Sequence, residues 1–272
     1  MKRSFGWRRD LPDPRDFTLG HPDVHKILVR SAPFLRALSS RPASKDLSEY
    51  CSPIEDQEEL GSCTANAGVG LLEWSQRRVY NKYLDMSRLF LYKVSRKLAG
   101  IRGDEGCYIR TTIQAMLMLG VPPEKLWPYK IADFDKEPDP FIYALAGDYK
   151  AYNYYRLAPV AGTGQTQLEV LLQHLAGGLP FMFGFSVFSS ISDDSWIPEP
   201  TPADSVEGGH AVMCVGYDDT KKALRIRNSW GTSWGERGYG WLPYSYIEKG
   251  YADDFWAVIK ANFIDTDLFR VE

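Results

Sequence analysis

Four side chains in this sequence have the chemistry to break an acyl bond, and they come in the order Gln57, Cys63, His210, Asn228. Cys63 follows the polar, turn-prone run Pro53–Ser62 and opens a segment of small and apolar residues. A thiol in the first turn of a helix meets unpaired backbone N–H groups and the positive end of the helix dipole. Both favour negative charge, so this placement predicts a stabilised thiolate and a nucleophile. Gln57, six residues earlier, carries an amide donor for the oxyanion that forms when a thiolate adds to a carbonyl. Far downstream, Gly208-Gly209-His210-Ala211-Val212 offers a candidate base, and Arg227-Asn228-Ser229-Trp230-Gly231 a candidate residue to orient it. Taken singly, a free cysteine is more often a small core residue and a histidine in an apolar strand a structural one. The four together argue for chemistry.

The elements that must hold these groups are legible from period and punctuation. Cys63–Tyr83 reads as a long helix, with Ala67, Leu71, Trp74 and Arg78 at spacings of three or four. Its interior Gly68 and Gly70 each cost roughly 1 kcal/mol relative to alanine, so they imply a close neighbouring element or a kink. Met86–Leu98 and Ile109–Leu119 are further helices, ended by Pro122, Pro123 and the Trp127-Pro128-Tyr129 turn. Pro138–Pro140 marks a crossover. Lys150–Leu157 is strand-like, and Thr166 with Glu169 forms a capping box that opens a leucine-rich helix stopped by Gly177-Gly178. Phe181–Phe188, Ala211–Tyr217, Leu224–Asn228, Gly238–Leu242 and Phe255–Lys260 read as strands. The expected fold class is α+β. A helical half at about 46–140 holds Cys63, an antiparallel β-barrel or sheet half at about 141–262 holds His210 and Asn228, and the cleft lies between them.

Bulk properties exclude several functions. A net charge of −3 carries no nucleic-acid footprint. No apolar run reaches the length of a membrane span, and Met1–Leu19 lacks the apolar centre of a secretory signal. The expectation is a cytoplasmic protein, with export by a route lacking a cleavable signal left open. The four cysteines, at 51, 63, 107 and 214, show no CxxC pairing, which argues against a disulfide framework. The four histidines, at 21, 25, 174 and 210, do not cluster with them at zinc-ligand spacing. Neither a metal nor a cofactor is expected. Residues 1–41 are irregular and proline-punctuated, with basic Arg8 and Arg9 read as a solvated face and an apolar stretch from His25 to Leu38 able to dock. They are expected to form an extension that docks in cis, either as a strap that regulates access to the cleft or as an arm that covers apolar surface, and residues 263–272 a short tail.

The order Gln57…Cys63…His210…Asn228, with Gly209-His210-Ala211-Val212 and the run Asn228-Ser229-Trp230-Gly231 continued by Trp234-Gly235 and Gly238-Tyr239-Gly240, resembles the papain-like (C1-type) cysteine peptidases over Asp46–Lys260. Leu60-Gly61-Ser62-Cys63-Thr64 departs from the usual Cys-Gly-Ser-Cys-Trp, as in a divergent, bacterial branch. The resemblance implies a Cys63–His210–Asn228 triad acting on a polypeptide substrate through a thioester, an oxyanion hole containing Gln57, and no cofactor. It further implies that Trp230 shields the His210–Asn228 contact, that Ala211 lines a specificity pocket, and that Gly106-Cys107-Tyr108 borders the substrate main chain. A thiol at Cys107 is either a second group near the substrate or a buried cysteine without a redox role. The acidic loop Ser192–Gly209 is expected beside His210, either as a selector of basic substrates or as a solvated loop. Two alternatives remain: the same machinery acting as an amidase, transpeptidase or isopeptidase, or a silent binding module with the family fold.

Overall fold

The computed structural model describes residues 4–11, 13–24, 26, 41–159 and 161–261. The apolar stretch expected to dock from His25 to Leu38 and the tail at 263–272 lie outside or almost wholly outside these residues. One face of the molecule is a helical layer of α1 (Cys63–Tyr80), α2 (Arg88–Leu98) and α3 (Ile109–Met118), followed by a short α4 (Pro140–Ala146). The other is a seven-stranded antiparallel sheet in the order β4 (Ala151–Arg156), β9 (Ala252–Ala261), β5 (Phe181–Phe188), β6 (Val206–Asp218), β7 (Ala223–Arg227), β8 (Tyr239–Pro243), with β2 (Ser44–Asp46) also paired to β6. This open sheet is not closed into a barrel. Helices α5 (Gln167–Ala176) and α6 (Ser245–Glu248) complete the fold, α5 opening with the expected Thr166–Glu169 capping box.

Helix α1 is the axis. All of Cys63–Trp74 is buried, as befits a helix enclosed between helical layer and sheet rather than amphipathic on a surface. Both interior glycines answer to close neighbours. A β-carbon at Gly68 would lie 3.0 Å from the Met116 sulfur, and one at Gly70 2.7 Å from the Arg227 guanidinium. The helix ends at Tyr80, three residues earlier than the apolar pattern predicts, because Asn81 adopts the left-handed conformation at φ 54° and caps it. Helix α4 has no apolar period long enough to read. It is started by the Asp139 side chain, which accepts from the Phe141 N–H at 2.8 Å, with Pro140 in its first turn. Strand β6 begins at Val206, so the last residues of the acidic stretch before His210 are strand rather than loop.

Residues 4–11 and 13–24 run as an arm across the molecule. Its β1 (Trp7–Arg8) pairs in parallel with β3 (Cys107–Tyr108) on the helical side.

Candidate active site

His210 lies on β6 opposite Phe185 of β5, and Asn228 follows the last residue of the adjacent β7. Adjacent strands thus bring together two residues 18 apart. The Asn228 Oδ1 stands 2.7 Å from His210 Nε2, and the same oxygen accepts from the Ser229 N–H at 2.8 Å. An amide oxygen that accepts from a backbone N–H can only accept from the imidazole, which sets Nε2 as the protonated nitrogen. The Trp230 ring stacks on His210 at 4.5 Å between centroids and 25° between planes. His210 and Asn228 are buried.

Cys63 arrives from the helical side, at the first position of α1. The loop before it is tied to the segment after Asn228. The Gln57 N–H donates to the Ser229 carbonyl at 2.9 Å and the Gly231 N–H to the Glu55 carbonyl at 3.1 Å. The Tyr129 hydroxyl donates to the Gln57 carbonyl at 2.8 Å and lies 2.7 Å from Ser62 Oγ. Asp104 accepts from the Gly61 N–H at 2.9 Å. The Gln57 side chain is fixed at both ends. Its Nε2 donates to the Leu60 carbonyl at 2.8 Å and to the Ser4 carbonyl at 3.1 Å, while its Oε1 accepts from Ser229 Oγ at 2.7 Å. Two carbonyl acceptors on one atom identify that atom as the NH₂.

The Ser4 carbonyl belongs to the arm, which lies over the site. Phe5 packs edge-on against both His210 and Trp230, at 6.5 and 6.3 Å. The Gly6 carbonyl accepts from the Cys107 N–H at 2.8 Å. The approach is so close that a β-carbon at Gly6 would stand 1.8 Å from the Gly61 carbonyl oxygen, and one at Gly106, already at φ +70°, would stand 2.1 Å from the Gly6 oxygen. Cys63 is fully buried, and this burial pushes its thiol up to about 11 against the opposing N–H groups of Ala211, Gly6 and Thr64. The helix start favours a thiolate, and burial under the arm opposes it. Desolvation disfavours the charged form more than the helix end favours it.

The structure places the other expected residues as follows. The Cys107 main chain meets the arm, but its thiol is buried, pushed up to about 12 by desolvation, and all four cysteines are free. Ala211 presents a main-chain N–H to the Cys63 sulfur, and its side chain is buried. Arg8 and Arg9 are not simply solvated. Arg8 Nε donates to the Glu105 carbonyl at 2.8 Å, and Arg9 Nη2 to Asp253 at 2.6 Å. The acidic stretch does border the site: Asp193 and Glu207, with Asp56, Glu58, Phe5 and Trp230, line an open cleft of about 690 Å³. Sequence reasoning passed over Ser229, Tyr129, Asp104 and Ser4. Ser229 stood inside a quoted motif, and its hydroxyl next to an orienting asparagine was the signal available. Among the described residues no group of three or more His, Cys, Asp or Glu side chains gathers to hold a metal, and no helix is long and apolar enough to cross a membrane.

Comparison with known proteins bears on the family and the fold. The family profile described as papain family cysteine protease matches residues 41–254. An uncharacterized peptidase C1-like protein of Acanthamoeba polyphaga mimivirus is 32% identical over 98% of this chain and 92% of its own length. Chymopapain of Carica papaya is 28% identical over 69% of this chain and 50% of its own length. The crystal structure of xylellain, a cysteine protease from Xylella fastidiosa, superposes with a TM-score of 0.79 at 36% identity, covering 96% of this chain and 99% of that one. The chain belongs to the papain family of cysteine proteases.

Proposed function

We propose that the protein hydrolyses peptide bonds with Cys63 as nucleophile, His210 as acid and base, and Asn228 as its orienting partner, and that the N-terminal arm holds it latent. The observation that carries the reading is a peptide already in the site: the Ser4 carbonyl accepts from Gln57 Nε2 at 3.1 Å while Gly6 lies against the Cys63 sulfur. A substrate carbonyl in the same place meets the same donor.

With Nε2 committed to Asn228, His210 Nδ1 takes the Cys63 proton and the sulfur adds to the carbonyl carbon. The oxyanion receives hydrogen bonds from Gln57 Nε2 and the Cys63 N–H, worth roughly 3 kcal/mol per donor to the transition state. As the carbon–nitrogen bond breaks, the imidazolium protonates the leaving amine and a thioester remains. Water, deprotonated by His210, then releases the acid and restores the thiol. None of this proceeds with the arm docked, because the sulfur is buried and protonated.

The test is intact-mass labelling of the full chain with an epoxide thiol-protease inhibitor under reducing conditions. Gly6→Val displaces the arm by steric conflict with Gly61 and alters no residue of the body. One adduct is expected, faster in Gly6→Val than in the parent and absent in Gly6→Val chains that also carry Cys63→Ala or His210→Ala. A folded Gly6→Val chain that stays unlabelled would sink the peptidase reading in favour of a silent module.

A further inference from the structure

The indole of Trp7 stands in a slot made by missing side chains. A β-carbon at Gly184 would lie 2.0 to 2.4 Å from its ring atoms, and one at Gly209 2.8 Å from its ring. The slot ends at two consecutive carboxylates, Asp253 and the fully buried Asp254. Their oxygens divide in a regular way. The Oδ1 atoms of both accept from Arg156 Nη2 in the body, at 3.2 and 3.0 Å. The Oδ2 atoms accept from the arm. Asp254 Oδ2 receives Trp7 Nε1 at 3.1 Å and the Asp10 N–H at 2.7 Å, and Asp253 Oδ2 receives the Arg9 guanidinium at 2.8 and 2.6 Å.

We propose that this slot, filled by Trp7 while the arm is docked, is the pocket with which the peptidase selects an arginine side chain of its polypeptide substrate. The inference rests on the peptidase reading above. When the arm leaves, it takes with it the indole, the Asp10 N–H and the Arg9 guanidinium, and two carboxylate oxygens at the end of a flat slot lose their donors. A buried carboxylate oxygen left without a donor carries its full desolvation penalty. A guanidinium answers both: it is planar like the indole it replaces, offers N–H groups in a fork, and brings the countercharge. A leucine side chain fills the space but leaves the oxygens unmet, and a site built around hydrogen bonds rejects such a partner strongly. A glutamate meets two carboxylates that share the single Arg156 guanidinium, so it adds charge of the sign already in excess. Burial and the Asp10 charge, which raise Asp254 to about 7, are both reduced once the arm is gone, so the carboxylate is ionised when a substrate arrives. Arg110 also loses arm partners, Asp10 and Asp16, and an acidic substrate side chain is therefore the competing outcome to measure.

Two experiments on the full chain decide. In the first, the Gly6→Val protein is given fluorogenic peptides that differ only by Arg, Leu or Glu at each of the three residues preceding the scissile bond. At one position Arg is expected to exceed Leu and Glu in kcat/KM by about tenfold or more. Asp254→Asn, which keeps the shape and tolerates the positive φ of 56° at that residue, is expected to bring that ratio to within about twofold. In the second, the arm serves as a tethered probe with the body unchanged. Trp7→Arg is expected to label with the epoxide as slowly as the parent, and Trp7→Leu and Trp7→Glu at least about tenfold faster. Peptide cleavage without arginine preference, an arginine preference indifferent to Asp254→Asn, a glutamate preference, or a Trp7→Leu chain as latent as Trp7→Arg overturns the pocket alone. No cleavage of any peptide and no epoxide labelling overturns the peptidase reading and the pocket with it.

Discussion

Ser229 shows how little of a catalytic site is the reacting groups themselves. Its N–H shares the Asn228 oxygen with His210, and its hydroxyl holds Gln57 Oε1 at 2.7 Å. That second bond turns the amide so that Nε2 faces the site. Removing it lets the donor rotate without deleting it. Ser229→Ala in the Gly6→Val chain is therefore expected to lower kcat by roughly tenfold with KM little changed, less than the 10²- to 10³-fold cost of losing an oxyanion donor outright. A double-mutant cycle separates positioning from a general loss of fold. In a Gln57→Ala background the Ser229→Ala effect should vanish, and a full tenfold effect there would refute the assignment.

At the scale of an element, helix α1 carries a cost at its centre. Glu73 is buried within it, and desolvation raises its carboxyl to about 7 despite hydrogen bonds from the Ser52 side chain and the Met86 N–H. The sign follows from proton binding. Between its ordinary value of 4.5 and about 7 the folded chain holds a proton that the unfolded chain releases, so stability falls as pH rises through that window and levels off above it. Glu73→Gln keeps an acceptor for the Met86 N–H, which meets Glu73 Oε1 at 2.9 Å, and removes the charge. Denaturant melts should show the variant more stable than the parent at pH 8, by on the order of 2 kcal/mol, with the difference shrinking towards zero near pH 4. A constant difference across pH would mean that Glu73 is not held protonated by burial.

For the molecule as a whole, the proposed latency belongs to arm and body together. The arm is pinned at both ends of its path: Ser4 to Gln57, and Asp10 and Asp16 to Arg110, the last at 2.7 Å. Between these ends it buries the nucleophile. Because burial favours the neutral thiol, alkylation of Cys63 in the full chain should accelerate steadily with pH up to about 11. In Gly6→Val the rise should end at a lower pH, once the His210 side and the helix end act on a solvated sulfur. Rates of iodoacetamide labelling followed by intact mass measure both profiles. Coincident profiles would show that the arm does not set the thiol's state.

How much of this was readable in the residues depends on distance along the chain. Local period and chemistry announced α1, the Thr166–Glu169 cap, the strand Phe181–Phe188 and the spacing of Gln57, Cys63, His210 and Asn228, since each is written in neighbouring residues or in a dense motif. Helix α4 and the early stop at Asn81 were not announced, because a short capped turn and a left-handed residue leave no apolar period. The residues alone carried the fold class, the family and the inventory of reactive groups. Their surroundings came only with the folded chain. Trp7 reaches Asp254 across 247 residues and Gln57 reaches Ser4 across 53, and no local pattern encodes such meetings. Burial, which pushes the Cys63 thiol up and encloses the Trp7 ring, is a property of what packs on a residue rather than of the residue. The same helix start that favours a thiolate in isolation is therefore opposed here by what packs over it.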